Sequence, residues 1–266
     1  MIRVVFNQKG GVGKSSITSN LAAISADYGF KTLAIDLDQQ CNTTQYLLGE
    51  ASSEHRPGIT DFFVDSIGIG RRKRSASDYI SATPYEHLDI MVARPELGEL
   101  QHKLESKHKI LKLRQMLHGL TDEYDAIYID TPPALNFYAL SALIAADTCL
   151  IPFDCDEFAR HSLYRLLESI DEISEDHNDE LRVEGIIVNQ FQTGANFPYG
   201  IVENLREEGL PVLESMLSSS VKMRESHHAA IPLVHFAPSH KLTLDYLALF
   251  EEINADFLDF SGSDGA

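Results

Sequence analysis

The sequence predicts an α/β domain built on a doubly wound, mostly parallel β-sheet with helices on both faces. Apolar runs typical of buried strands alternate along the chain with longer stretches of helical periodicity. A glycine-rich turn follows the first of these runs and precedes the first helical stretch. In sheets of this kind, ligands bind at the carboxyl ends of the strands. We expect residues 1–266 to form a single domain with a site at that edge.

Six short runs are predicted to be strands because they are rich in β-branched and other apolar residues. The last three are almost continuously apolar, which favours a parallel sheet that is covered on both faces. The predicted strands are 2–6, 32–36, 88–93, 125–130, 148–153 and 183–189.

The stretches between these runs carry the periodicity of amphipathic helices. The predicted helices are 15–28, 97–118, 136–147, 158–175, 198–209 and 241–258. We interpret 97–118 as one long helix with leucines along its apolar side. Segment 49–87, which is rich in serine, glycine and charged residues, is the least regular part of the chain. We find no internal repeat and no long linker.

Composition excludes several classes of protein. A hydrophobic content of 44% excludes intrinsic disorder, and no apolar run approaches the ~20 residues of a membrane span. Three cysteines without a Cys-x-x-Cys motif fit a reducing compartment, and we expect a cytoplasmic protein. The net charge of −18 means that any contact with nucleic acid must come from a local basic patch.

The most informative segment is the phosphate loop, KGGVGKSS, which begins at Lys9 and lies between the first strand and the first helix. Its glycines allow backbone N–H groups to form a cradle for an anion, and the helix N-terminus adds its positive dipole end. Lys14 can reach the β- and γ-phosphates of a nucleotide, and the Ser15 hydroxyl can ligate Mg²⁺. The predicted ATP-binding residues of the loop are Gly10, Gly11, Val12, Gly13, Lys14, Ser15 and Ser16.

The loop departs from the general pattern in one informative way. Gln8 stands where the general pattern has glycine, and a second lysine, Lys9, follows it. The string KGGVGK[ST] resembles the deviant Walker A motif of the ParA/MinD family of ATPases, which have the P-loop NTPase fold. In that family the extra lysine reaches across a dimer interface to the nucleotide of the partner subunit. The resemblance therefore implies this catalytic role for Lys9, together with Lys14.

The second predicted strand ends in the string DLDQQCN, which begins at Asp36. The two-residue period of a strand places Asp36 and Asp38 on the same side of an extended segment. ParA proteins typically have D-x-D-P-Q-G-N here, so Gln39 replaces proline and Cys41 replaces glycine. The resemblance implies that Asp38 positions the attacking water and that Asp36 supports the Mg²⁺ shell.

Segment 124–133, YDAIYIDTPP, resembles the Walker B segment of the family. Its apolar strand delivers Asp130 to the Mg²⁺ site. The resemblance continues over 135–170, where a helix leads to a strand, a cysteine-containing turn and another helix. Asn189, at the end of a buried strand, has two interpretations: its amide binds adenine, or it caps a helix.

Short ParA proteins bind nucleoid DNA without sequence preference through exposed basic residues. We expect the same short form here, without an N-terminal helix-turn-helix extension. Lys222 and Arg224 resemble the DNA-contacting region of the family, and two other basic runs are further possibilities, with a solvated face as the alternative for each. These runs are Arg71 to Arg74, and Lys103, Lys107, Lys109, Lys112 and Arg114.

The resemblance implies an ATPase that uses ATP and Mg²⁺, forms a homodimer on binding ATP, associates with the nucleoid, and positions a cargo. A ParB-like protein or an adaptor with a basic terminus would stimulate its slow hydrolysis. MinD-type relatives attach to membranes through a basic amphipathic C-terminal helix. The segment after Lys241 has no lysine or arginine, so an anionic bilayer would repel it, and we expect no membrane attachment.

The alternative is a metabolic P-loop enzyme of the same superfamily, such as a cobyrinic-acid-amidase-like or dethiobiotin-synthetase-like protein. Lys9 favours the ParA-type interpretation, because such enzymes do not need the dimer signature. A nitrogenase-reductase-like electron carrier is disfavoured, because no cysteine has the spacing of its cluster ligands. The sequence does not identify the cargo.

Overall fold

The computed structural model describes residues 1–53, 56–68, 74–155, 159–191 and 196–261. Its centre is a seven-stranded sheet with the order β3-β4-β2-β5-β1-β6-β7. Neighbouring strands are parallel except for β3 and β4, which are antiparallel. The strands are β1 (Ile2–Val5), β2 (Thr32–Asp36), β3 (Ser81–Ala82), β4 (Leu88–Met91), β5 (Ala126–Asp130), β6 (Thr148–Asp154) and β7 (Arg182–Asn189). The predicted α/β class with a mostly parallel sheet is confirmed.

Helices cover both faces of the sheet. They are α1 (Lys14–Asp27), α2 (Asn42–Leu48), α3 (Ile59–Ile67), α4 (Leu97–Ser106), α5 (Lys112–Leu117), α6 (Phe137–Ala145), α7 (Ala159–His177), α8 (Asn196–Glu207), α9 (Val221–Ala229), α10 (Leu233–Phe236), α11 (Lys241–Ile253) and α12 (Ala255–Ser261). None of those in the described part of the chain has the length and apolar character needed to cross a membrane.

Alternate residues of each strand enter two separate hydrophobic cores, because successive side chains of a strand point to opposite faces. Val4 of β1 belongs to the core that includes leucines of α5, α6 and α7. Val5 belongs to the core that includes leucines of α1 and α11. Both valines are fully buried. Because β1, β2 and β5 are parallel, their carboxyl ends lie at the same edge of the sheet, and the polar side chains of the site lie there.

Two predicted helices are divided in the structure. The single helix expected over 97–118 is wrong: α4 ends at Ser106, and His108 takes a left-handed conformation with φ of 51° before α5 begins. The helix expected over 241–258 is interrupted at Asn254. This side chain donates to the Phe250 carbonyl and accepts from the buried guanidinium of Arg3, so it is held inside the protein at the break.

Segment 49–87 contains more regular structure than its composition indicated. It holds α3, the short strand β3, and 3-10 turns at Gly49–Ser53 and Ala76–Tyr79. Helix α3 is fixed by Asp61, which accepts two hydrogen bonds from the Arg94 guanidinium, at 2.6 and 3.1 Å. Helix α2 follows the acidic motif directly and was not predicted. Residues 54–55 and 69–73 lie outside the described residues, and Arg71, Arg72 and Lys73 are among them.

Candidate nucleotide-binding site

The predicted phosphate loop connects β1 to α1 and closes over the carboxyl edge of the sheet. Gly11 and Gly13 have φ of 76° and 93°, the left-handed region that side chains rarely adopt. A Cβ atom on Gly13 would also lie 2.3 Å from Nδ2 of Asn189. Glycine is therefore required at position 13 both by the backbone conformation and by the close approach of β7.

The two lysines of the loop differ in burial. Lys14, the first residue of α1, is only 7% exposed, and its Nζ donates to the Lys9 carbonyl at 3.1 Å. Burial lowers the pKa of Lys14, and the negative charges of Asp130 and Asp38 offset part of this effect. The Lys9 side chain is half-exposed at the rim, with Nζ 3.8 Å from Oδ2 of Asp154. Lys14 is thus directed into the protein, and Lys9 is accessible from outside.

Beneath the loop, Asp36 and Asp130 end the paired strands β2 and β5 and are fully buried. Asp36 accepts hydrogen bonds from the backbone and hydroxyl of Thr44, both at 2.8 Å. Burial and the neighbouring charge of Asp130 raise the pKa of Asp36 despite these bonds. Asp130 accepts from the Thr43 hydroxyl at 2.8 Å, and burial likewise raises its pKa. Helix α2, through its two threonines, therefore rests on both carboxylates.

The side chains of Asp130 and Ser15 offer oxygen atoms that could hold a magnesium ion. Oδ1 of Asp130 is buried and has no hydrogen-bond partner of good geometry among the described residues. The Ser15 hydroxyl lies close enough to lower the pKa of this carboxyl in part. A carboxylate oxygen and a hydroxyl are hard oxygen donors of the kind Mg²⁺ prefers. Asp36 lies one strand away and contacts Thr44 and the Asp38 backbone, so its position fits a supporting role.

Asp38 lies beyond the end of β2, where it lines the cavity at the loop, whereas Asp36 does not. Its backbone N–H donates to Asp36 Oδ1, and its own Oδ1 accepts from the Gln40 N–H, both at 3.0 Å. Cys41 has φ of 57°, the conformation that the glycine typical of ParA proteins adopts most easily. The Gln39 side chain packs against Gly98 of α4. A Cβ atom added to Gly98 would lie 1.9 Å from Oε1 of Gln39. Cys41 therefore keeps the backbone conformation of the glycine that it replaces, at some cost in strain, and Gln39 makes a side-chain contact with α4.

Asn189 contributes to the loop rather than to a helix cap. Its amide donates to the Val12 carbonyl at 2.8 Å, and the residue lines the cavity. Gln190, with φ of 56°, donates to the Gly11 carbonyl at 2.9 Å. The described hydrogen bond of the Asn189 side chain is thus to the phosphate loop, and its contact with adenine stays a prediction. Nothing in the sequence pattern pointed to Gln190.

The cavity at the loop has a volume of about 910 Å³. Its opposite wall comes from helix α9 and includes Arg224 and His227, with Tyr46 of α2 beside them. Nε2 of His227 lies 3.0 Å from Oγ of Ser16. No sequence spacing predicts this contact, because the two residues are 211 positions apart.

The two residues predicted to contact DNA are placed differently. Lys222 is the second residue of α9, and its Nζ lies 2.5 Å from Oε2 of Glu225 and 5.8 Å from the centre of the Phe236 ring. Arg224 is exposed and borders the nucleotide cavity. The structure thus brings Arg224 to the loop residues but leaves Lys222 outside the cavity lining.

The other basic runs are partly engaged. Arg74, the described member of the first run, pairs with Asp65 at 3.0 Å. In the second run, Lys107 donates to the Ile67 carbonyl at 2.9 Å, and Arg114 lies 3.7 Å from Glu180. Among the described residues of the three basic runs, Arg224 of α9 is the one that lines the cavity.

The sequence matches the family described as AAA domain (AAA_31) over residues 1–183. It is 32% identical to the chromosome partitioning protein ParA of Myxococcus xanthus over 251 residues, covering 94% of this chain and 86% of that protein. The fold is similar to that of Cyanothece McdA, with a TM-score of 0.81, 21% identity, and coverage of 96% and 98% of the two chains.

The fold alone does not separate these proteins from metabolic enzymes. Cobyrinic acid a,c-diamide synthase of Mycobacterium smegmatis, solved with ADP and magnesium, has a TM-score of 0.74, 21% identity, and coverage of 91% and 97%. The sequence match is the more specific finding, because it extends over nearly the whole chain at a higher identity. The chain therefore belongs to the AAA-domain (AAA_31) family and, within it, to the ParA/MinD-type ATPases.

Proposed function

We propose that the protein is a ParA-type positioning ATPase. It binds ATP with Mg²⁺, forms a homodimer in that state, binds DNA without sequence preference, and moves or segregates a cargo. A ParB-like or adaptor protein with a basic terminus stimulates hydrolysis, and the ATPase is then released from the DNA. This places the protein in the cytoplasm, on the nucleoid. The observation that carries the proposal is the pair of loop lysines, one directed inward and one accessible at the rim.

The inner lysine and the loop account for nucleotide binding. Gly10, Gly11, Val12 and Gly13 form the backbone cradle, with a helix N-terminus behind it, and Lys14 supplies a buried positive charge. Ser15 and Asp130 would hold the magnesium ion, with Asp36 in support. When bound, the ion neutralises charge on the β- and γ-phosphates. Ser16 and Asn189 line the same cavity, where we expect the α-phosphate and the base.

Hydrolysis needs a group that orients water beside the γ-phosphate. Asp38 lines the cavity and is only 6% exposed to solvent. Its carboxylate accepts a hydrogen bond from the Gln40 N–H. In the dimer, Lys9 of one subunit would add a positive charge at the phosphates of the other, as an arginine finger does. Full activity then requires two subunits. A partner protein that changes how the two subunits meet would therefore change the rate of hydrolysis.

The experiment measures assembly and DNA binding together. Static light scattering with Mg²⁺ should show a dimer with ATP and a monomer with ADP. An electrophoretic shift on unrelated duplexes should appear with ATP at low salt and weaken steeply as salt rises, because phosphate contacts release counterions.

A different result would favour the metabolic alternative, which uses the same loop. A protein that binds ATP, stays monomeric and shifts no duplex at any salt concentration would contradict the proposal. A shift confined to one duplex sequence would also contradict it, because the proposal requires contacts to the phosphate backbone only.

A further inference from the structure

The contact between Ser16 and His227 joins the phosphate loop to a helix that is remote in sequence. His227 lies on α9, which forms the cavity wall opposite the loop. Its Nε2 is 3.0 Å from Oγ of Ser16, and its ring meets the Tyr46 ring edge to face at 4.6 Å between centres. The ring is thus held in place by α2 on one side and points at a loop hydroxyl on the other.

A second set of hydrogen bonds joins the same elements behind the first. Asn20 of α1 donates to the Ser16 carbonyl at 2.8 Å and to the Tyr46 hydroxyl at 3.3 Å. Tyr46 in turn bonds the hydroxyl of Ser226, which precedes His227 on α9. Ser226 and Tyr46 are both buried. Helix α9 is therefore fixed relative to α1 by a continuous polar network, and His227 is its member at the cavity.

The chemistry of the pair determines which atom donates. A serine hydroxyl has one proton and two lone pairs, and a phosphate oxygen at neutral pH only accepts. If the Ser16 proton is directed to a phosphate, the bond with His227 must be donated by the imidazole. Although the His227 side chain is partly exposed, desolvation of its covered face lowers its pKa, which favours the neutral ring with one N–H.

We propose that His227 is a positioning residue of the nucleotide site: its Nε2–H donates to Ser16 Oγ and directs the Ser16 proton to a phosphate oxygen of the bound nucleotide. This inference rests on the proposed function, because it requires the loop to bind ATP or ADP. Nucleotide binding and the position of α9 are then coupled, since the same histidine takes part in both. The helix that carries Lys222 and Arg224 thereby becomes part of the nucleotide site.

The test uses the full-length protein with Mg²⁺ and either ADP or ATP in titration calorimetry. The His227→Leu variant should weaken nucleotide binding about 3- to 10-fold, the effect of one lost hydrogen bond. The His227→Gln variant, whose amide can donate in place of Nε2, should remain within about 2-fold of wild type. His228→Ala is the matched control, because it changes the adjacent histidine and should leave the affinity unchanged.

A double-mutant cycle separates positioning from a general structural effect. The Ser16→Ala variant should weaken binding by itself, and His227→Leu added to it should cause no further loss, because the histidine acts through the hydroxyl. Additive losses would overturn the inference. Hydrogen exchange gives a second readout: ADP should protect amides of 221–229 in the wild type and in His227→Gln, but not in His227→Leu.

The outcomes distinguish this inference from the proposed function. A wild-type protein that binds neither nucleotide would overturn the proposed function and the inference with it. A wild type that binds nucleotide, with a folded His227→Leu variant that binds equally well, would overturn the inference alone.

Discussion

Asp36 and Asp130 lie directly opposite each other on the paired strands β2 and β5, and neither carboxyl reaches solvent. Two like charges in this position repel each other, and burial adds to the cost of ionisation. Thr43 and Thr44 bond one carboxylate each, so the start of α2 rests directly on this pair. The charge state of each carboxyl therefore affects that of the other, and both carboxyls contact the start of α2.

This pair should make the stability of the protein depend on pH. The pKa of Asp36 is raised above its ordinary value of 3.8 by burial and by Asp130. The folded state therefore holds a proton that the unfolded state loses near pH 4, and stability falls as pH rises from there towards the raised pKa. We expect Asp36→Asn to flatten the decline in Tm between pH 5 and pH 8 by a few degrees. Thermal unfolding checks this, with the exposed Asp256→Asn as control; an unchanged slope would contradict it.

The Asp38→Ala variant should separate binding from hydrolysis. Asp38 reaches the cavity, whereas the cradle and Lys14 hold the phosphates. We expect ATP affinity within a few-fold of wild type, turnover lower by roughly 100-fold or more, and a dimer that accumulates with ATP. Steady-state phosphate release and light scattering give the two readouts. Wild-type turnover in the variant would rule out the water-positioning role.

The two loop lysines should fail in different ways when replaced by alanine. Lys9→Ala should keep nucleotide binding by the monomer and lose the ATP-dependent dimer, because its side chain lies at the rim. Lys14→Ala should lose nucleotide affinity itself, since it removes the buried charge at the start of α1. Sedimentation with ATP, alongside calorimetry with ADP, tests both. A normal ATP dimer from Lys9→Ala would exclude action across the interface.

Replacing Gly13 with alanine should disrupt the loop. The added Cβ would meet Asn189 Nδ2 at 2.3 Å, in a backbone conformation with φ of 93°. The left-handed conformation alone costs roughly 1–2 kcal/mol, and we expect nucleotide binding to weaken at least about tenfold. Gly200→Ala is the matched control: Gly200 lies inside α8 with open space around it, so alanine should stabilise by about 0.5–1 kcal/mol. Chemical unfolding and calorimetry measure both effects, and unaltered binding by Gly13→Ala would contradict the proposed cradle.

Lys222 can be tested for DNA contact apart from Arg224, because only Arg224 borders the nucleotide cavity. Lys222→Gln should weaken DNA binding with ATP and reduce the salt dependence by about one ion per lost phosphate contact. It should leave the ATP dimer intact. The control is Lys31→Gln, which also removes one positive charge. Lys31 lies just before β2, at the amino ends of the strands, so this variant should leave DNA affinity unchanged. Equal salt slopes for the two variants would argue against a DNA contact at Lys222.

The parts of the fold that were predicted are those with a local signal. Apolar strands and the glycine loop are visible in the sequence because burial and positive φ restrict the residue types directly. The breaks at His108 and Asn254 were missed, since both depend on contacts or conformations that periodicity does not record. At the site, the loop residues and Asp38 belong to motifs that are visible in the sequence, and they line one cavity. The contact of His227 with Ser16 joins residues 211 positions apart, and no spacing rule predicts it.

The guanidinium of Arg3 joins β1 to a helix junction that lies 251 positions away in the chain. It is 2% exposed, and its partners are Glu184, the Ile253 carbonyl and Asn254. A buried cation that loses its partners is strongly destabilised, so the position of β1 and that of the α11–α12 junction are energetically coupled. We therefore expect the amides at the start of α12 and those of β1 to exchange with solvent in the same opening event, because separating the two segments exposes the same buried guanidinium.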